Sequence, residues 1–376
     1  MANKQHHIIY FPHLTMRDVP EIDFGFMKIW NFKVLKEKYI PDEKLRSKIE
    51  KIFSSYQEYF RGQIKDIGIV SIGTMDFRVF TQEEKADVRL ARLILFLSFV
   101  SKANTIPFNG NTGHQMASSE NFNEVYQNFT LEDDHMAESG GYIAPYMHGG
   151  FVMGEIKHIK PSFIPSPGKF DIDANLFNSL LELKDKKPKV FERITNATEL
   201  LFESYYNSHI VSINARVLLQ MSALEILLDL SEAGQRKHFK EIIEKETILP
   251  EDKRRIHYSE RPNGKKAKEA LTLKGVWGDL FYTLRNHIIH GLTPKNEEYG
   301  FMKKQRHTEI AFLFFILFVK KQVNKSLKKD IFSEEIQWKK WHDNNFEQDR
   351  EEFVIETSFR KLFNKLMKQK KKQNGR

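Results

Sequence analysis

His209–Leu230 reads HIVSINARVLLQMSALEILLDL, a run too apolar to stand alone in water. Val211, Ile213, Val217, Leu218, Met221, Leu224 and Leu227 recur near a 3.6-residue period with few charges between them, which predicts a long helix. A helix this apolar has to be covered by others, and the flanking sequence supplies them. Glu192–Tyr206 and Gln235–Glu246 carry helical patterns, the second closed by Leu249-Pro250. A further helix is expected over Ala267–His290. It stops at Gly291, a residue suited to the left-handed position after a helix end, and Gly275 and Gly278 are candidate breaks within it. The last, Gln305–Asn324, contains the apolar run Ile310–Val319. Helices with short joints of this kind form an antiparallel bundle.

Upstream the pattern changes. His7–Phe11, Phe26–Val34 and Ile67–Phe80 are rich in β-branched and aromatic residues with partial alternation, as strands are. Asp42-Glu43 opens a helical run, Lys44–Phe60. Glu83–Ala103 reads as a helix whose nearly unbroken Leu90–Phe96 core requires burial on most sides. Asn104–Gly150 reads as loop-rich, and Lys160–Gly168 as a proline-rich connector. The expected fold class is α+β. A mixed α/β domain spans 1–185, an all-α bundle 186–330, and a helical, basic extension 331–376.

Composition narrows the chemistry. The 376 residues leave room for two cores, and 31 Phe against 12 Tyr and 4 Trp read as core material. The absence of cysteine excludes a disulfide framework, a thiolate zinc site and a thiol nucleophile, and fits a reducing interior. The start, MANKQHHIIYFPH, lacks the pattern of a signal peptide. Ala91–Val100 and Ile310–Val319 are about half the length a bilayer span needs. The expectation is a cytoplasmic protein with no membrane partner. No phosphate-binding Gly-x-x-x-x-Gly-Lys-Ser/Thr loop occurs, and Gly149–Gly154 lacks dinucleotide spacing and reads as a turn. His6, His7 and His13 read as strand residues with aromatic neighbours rather than metal ligands. Glu155 and His158 lack a second ligand pair, and Glu132–His135 reads as an acidic surface loop. No metal and no cofactor are expected.

The formal charge of +9 favours polyanionic partners through phosphate contacts. The basic tail Lys361–Arg376 is either a solvated terminus or a nucleic-acid contact, and charge alone leaves both open. The basic insert Lys253–Lys266, with Lys253, Arg254, Arg255, Lys265 and Lys266, is a candidate RNA-contacting loop, with ordinary solvation as the alternative.

The stretch richest in chemistry is Leu284-Arg285-Asn286-His287-Ile288-Ile289-His290-Gly291. An arginine, a polar residue and a histidine four positions further on, taken with Ser222-Ala223-Leu224-Glu225-Ile226-Leu227-Leu228 upstream, resemble the HEPN superfamily, in particular its Apea-like and abortive-infection-type domains. The resemblance covers roughly residues 190–325. It implies a metal-independent endoribonuclease with Arg285, Asn286 and His290 as catalytic residues. It also implies a homodimer in which two motif helices line one cleft, a role as a toxin or anti-phage effector, and a regulatory or antitoxin partner. HEPN toxins silenced by nucleotidyltransferase antitoxins carry a tyrosine two residues after the histidine. Leu292 stands there in this chain, so that form of control is not expected.

These residue types suit phosphodiester chemistry. RNA is cut without a metal when its own 2′-hydroxyl attacks phosphorus, which needs a proton acceptor, a proton donor and cations for the developing charge. A helix C-terminus favours cations through the macrodipole, and His290 is placed at one. Arg285 offers a planar, permanently charged fork that matches phosphate. Asn286 lies one turn before His290, on the same face. Arg285 and His290 are about 140° apart on an ideal helix, so one helix does not aim both at a single point. His287 faces another direction and is a supporting candidate only. Glu225 reads as a structural partner for Arg285 rather than a catalytic acid. The bland alternative is an Arg–Glu pair and a capping histidine in a non-catalytic dimerisation or RNA-binding module.

Overall fold

A computed structural model describes residues 4–14, 16, 19–58, 62–73, 75, 77–102, 119–131, 137–139, 158–159, 172–206, 211–230, 235–247, 255–260, 266–302 and 305–333. The fold is α+β. In chain order the first part contains β1 (His6–Phe11), β2 (Glu21–Asp23), β3 (Lys28–Asn31), α1 (Phe32–Tyr39), α2 (Glu43–Ser54), β4 (Tyr56–Glu58), β5 (Gly62–Gln63), β6 (Gly68–Ser71), α3 (Gln82–Lys102), β7 (Val125–Phe129), β8 (Ala137–Ser139) and β9 (His158–Ile159). One sheet has the order β2-β3-β6-β1-β7-β8, with every neighbouring pair antiparallel. A smaller sheet pairs β4 with β5 and β9.

Alternation along the central strands builds two cores. In β1, Ile9 and Phe11 enter one apolar cluster while Ile8 and Tyr10 enter another, because successive side chains point to opposite faces. Ile29 against Trp30, and Val70 against Ile69, divide the same way. α1 and α2 cover the second face through Phe32, Leu45, Ile49 and Phe53. α3 covers the first. Its buried residues, Ala91 and Leu93–Leu97 among them, lie on nearly all sides because the sheet is on one flank and helices on the other.

Those helices are α4 (Ala174–Lys186), α5 (Pro188–Ser204), α6 (Ile213–Leu227), α7 (Gln235–Thr247), α8 (Leu273–Ile289) and α9 (His307–Leu327). Two strand pairs lie among them, β10 (Arg255–Glu260) with β11 (Lys266–Leu271), and β12 (Gly300–Met302) with β13 (Gln305–Arg306). α6 packs against α5, α8 and α9, as its apolar sequence demands. One apolar cluster runs from Phe11 and Phe96 through Leu180 and Leu201 to Phe281 and Phe315, so it crosses position 185. A buried ion pair reinforces the joint. Asp173 caps α4 and accepts from Ser101 Oγ at 2.7 Å, and Lys320 Nζ lies 3.0 Å away. Among the described residues no helix is long and apolar enough to cross a membrane.

Several expected elements change. The strand expected over Phe26–Val34 ends at Asn31, because Phe32, Leu35 and Tyr39 share a helical face on the second core. Of Ile67–Phe80, Gly68–Ser71 is the part that joins the sheet. The helix expected over Lys44–Phe60 stops at Ser54. There the Ser54 and Ser55 hydroxyls donate back to the carbonyls of Lys51 and Ile52, and the chain turns into β4. The loop-rich stretch Asn104–Gly150 contains β7 and β8, and α4 occupies residues assigned to no element. The connector 160–168, the acidic loop 132–135, the turn 149–154 and the extension from 334 onward lie outside the described residues.

Candidate active site

α8 carries the motif, and both its ends are fixed by short-range chemistry. Thr272 is its N-cap and accepts from the Gly275 amide at 3.2 Å. The Glu244 carboxylate, reaching over from α7, accepts from both the Thr272 amide and hydroxyl at 2.7 Å. A Cβ on Gly275 would sit 1.9 Å from that carboxylate oxygen. Gly275 and Gly278 therefore do not break the helix, and the missing Cβ of Gly275 lets the α7 carboxylate approach it. At the far end Gly291 has φ +73°, its amide donates to Ile288 O, and the Leu292 amide donates to His287 O. This is a Schellman closure, as the glycine predicts. It leaves His290 on the last turn, exposed to solvent.

Arg285 turns the other way, toward α6. Its Nη2 is 3.5 Å from Glu225 Oε1, its guanidinium lies 5.4 Å from the Tyr282 ring centre, and its Nη1 donates to Asn286 Oδ1 at 3.0 Å. A guanidinium only donates, which fixes the Asn286 oxygen toward it and leaves the amide NH2 free to donate elsewhere. The Tyr282 hydroxyl is 3.1 Å from Glu225 Oε1 and 3.0 Å from Gln235 Oε1, sharing its one proton between them. Burial, then the Glu225 charge, push this phenol up to about 12, so it stays a donor at neutral pH. Glu225 thus pairs with Arg285, and it also walls an open groove of about 610 Å³ between α5 and α6. Lys189, Arg193 and Ile226 line the same groove.

The structure brings Arg285, Asn286 and Glu225 together but not His290. Among the described residues no hydrogen bond or ion pair joins the His290 side chain to Arg285 or Asn286: Arg285 stands about 140° from it around the helix, and Asn286, although on the face of His290, turns its oxygen to Arg285. His287 points elsewhere, with Nδ1 3.5 Å from Glu298 Oε2. Two apolar residues flank His290 on the surface, Ile289 at 50% exposure and Leu292 at 57%.

Within and after the basic insert, Arg255–Glu260 and Lys266–Leu271 pair as antiparallel strands, and β11 takes residues expected in the first turns of the motif helix. Lys253, Arg254 and Lys265 lie outside the described residues; Arg255 and Lys266 lie in the strands. Lys266–Leu271 has a helix-favouring composition, yet pairing with β10 overrides it.

One cluster near the motif is not legible from the sequence. Asp279, 2% exposed on α8, accepts from Arg236 Nε on Oδ1 at 2.9 Å and from Nη2 on Oδ2 at 3.0 Å, and His257 Nε2 of β10 lies 3.0 Å from the same Oδ2. Burial opposes ionisation of this carboxyl. Hydrogen bonds from His257 and Arg236 overrule it, holding the group at about 2. The cluster ties α7 and β10 to the helix that carries the motif. Among the described residues no group of three or more His, Asp or Glu side chains is placed to hold a metal ion.

The chain matches no family model, no curated protein and no solved structure.

Proposed function

We propose that this chain is a metal-independent endoribonuclease of the HEPN type, working as a homodimer and serving as a toxin or anti-phage effector. The observation that carries the reading is the layout of α8: a clamped Arg285–Asn286 pair, then an exposed His290 between exposed Ile289 and Leu292. One protomer offers its cation and its imidazole to different directions. Pairing two such ends through Ile289 and Leu292 covers apolar surface and sets two histidines and two arginines around one cleft.

In that cleft one His290 takes the proton of the ribose 2′-hydroxyl as its oxygen bonds to phosphorus. The second His290, protonated, gives its proton to the departing 5′-oxygen as the P–O bond breaks. The products are a 2′,3′-cyclic phosphate and a 5′-hydroxyl. Arg285 neutralises the phosphate charge and Asn286 donates to a phosphate oxygen through its free NH2. A non-catalytic dimerisation or RNA-binding module is the second reading, and the engagement of Arg285 by Glu225 and Tyr282 favours it.

The test is purified wild type beside Arg285→Ala and His290→Ala on mixed cellular RNA in EDTA, with end-group analysis. Cleavage by wild type alone, leaving cyclic phosphates, is expected. Equal cleavage by all three, or none by a folded wild-type dimer that still binds RNA, points to the module.

A further inference from the structure

The β10–β11 ribbon has two unlike faces. Inward, His257 sits on Asp279 and Glu269 is paired with Lys240, so the ribbon is held to α8 and α7 by buried or half-buried charge pairs. Outward, Ile256 is 54% and Tyr258 56% exposed, and Lys268 and Ala270 are exposed beside them. Tyr258 stands directly opposite Lys268 across the ribbon, and Ile256 opposite Ala270. Among the described residues neither Tyr258 nor Lys268 has a side-chain partner.

Ile256, Tyr258 and Lys268 put an aliphatic side chain, an aromatic ring and a cation together on one exposed face, a combination suited to a binding surface. Charge says what that is. The sequence from 254 to 270 carries Arg254, Arg255, Arg261, Lys265, Lys266 and Lys268 against Glu260 and Glu269, and Glu269 is already neutralised by Lys240. An aromatic face for a base, next to a cation for the adjoining phosphate, is the way single strands are held without sequence preference. We infer that the outer face of the β10–β11 ribbon, centred on Tyr258 and Lys268, is a binding strip for single-stranded RNA. Resting on the ribonuclease reading, it acts as the substrate guide. The ribbon is anchored to α8 at Asp279, and His290 lies eleven residues further along that helix, about 16 Å along its axis. One bound strand can therefore touch both.

The experiment measures fluorescence anisotropy of a short labelled 2′-O-methyl oligonucleotide, which cannot be cut, at low and at physiological salt. Cleavage of cellular RNA in EDTA is measured in parallel, and sedimentation reports the oligomeric state. Tyr258→Ala is expected to weaken binding about tenfold, while Tyr258→Phe, which keeps the stacking ring, leaves it unchanged. Lys268→Ala is expected to weaken it several-fold and lower the salt slope by about one. Wild-type affinity in both Tyr258→Ala and Lys268→Ala overturns the strip, whether or not the enzyme cuts. Lost binding in those variants, with a wild type that never cuts, upholds the strip and rejects the ribonuclease reading. A change of oligomeric state in Tyr258→Ala overturns the strip in favour of a protein interface.

Discussion

Replacing Asp279 by Asn removes a buried negative charge that Arg236 and His257 share. The carboxylate is almost fully buried and receives a two-pronged contact from Arg236 at 2.9 and 3.0 Å. Breaking a buried pair from one side costs about 3–5 kcal/mol, and the partial exposure of Arg236 brings the figure to the lower end. The ionisation of Asp279 gives a second route to the same quantity. Its pKa falls from 3.8 to about 2 on folding, which corresponds to about 2 kcal/mol at neutral pH. A depressed carboxyl contributes stability that is present above the unfolded value and lost as pH falls through the folded one. The wild type therefore loses this contribution between about pH 5 and pH 2, and Asp279→Asn has none to lose.

Urea unfolding followed through the fluorescence of buried Trp277 reads the effect, and a loss of about 2–3 kcal/mol at pH 7 is expected. Adding Arg236→Met to Asp279→Asn removes the cation that faced the carboxylate. The double variant is then more stable than the sum of the two losses allows, by about 2 kcal/mol. Strict additivity, or a pH 7 loss below about 0.5 kcal/mol, would refute the argument that these charges are coupled.

Gly275→Ala is expected to cost about 2 kcal/mol, because its Cβ displaces the Glu244 carboxylate from Thr272; in a Glu244→Ala background the same change stabilises by up to about 1 kcal/mol, and thermal unfolding shows the change of sign. Asp229 closes α6 with φ +59°, so Asp229→Gly should raise stability by about 0.5–1 kcal/mol, the exposed pair with Arg193 contributing little; a net loss in urea unfolding contradicts this. Glu225→Gln should keep cleavage within about tenfold of wild type while His290→Ala loses about 10²–10⁴, and an equally large loss in Glu225→Gln would make that carboxylate part of the chemistry.

The sequence by itself determined the elements whose periodicity agrees with their burial. α6 and α9 are apolar almost all round, so nothing but the centre of a bundle suits them, and α3 is legible for the same reason. Gly291 set the end of α8, and hence the placement of His290 on its last turn, because a left-handed residue closes a helix locally. The Arg285–Glu225 pairing was readable from residue type, although the groove beside it was not.

Tertiary structure decided the rest. Lys266–Leu271 has helical composition and becomes a strand because β10 offers it a ladder and Lys240 a partner for Glu269. Asp279, Arg236 and His257 come from three elements, and no spacing within one helix or strand announces a meeting of that kind. The core that runs past residue 185 likewise depends on α3 standing between sheet and bundle, and each flank alone reads as a separate unit. Local order follows from short-range sterics and hydrogen bonds that the sequence spells out. Which buried charges find each other depends on packing distances set by the whole chain.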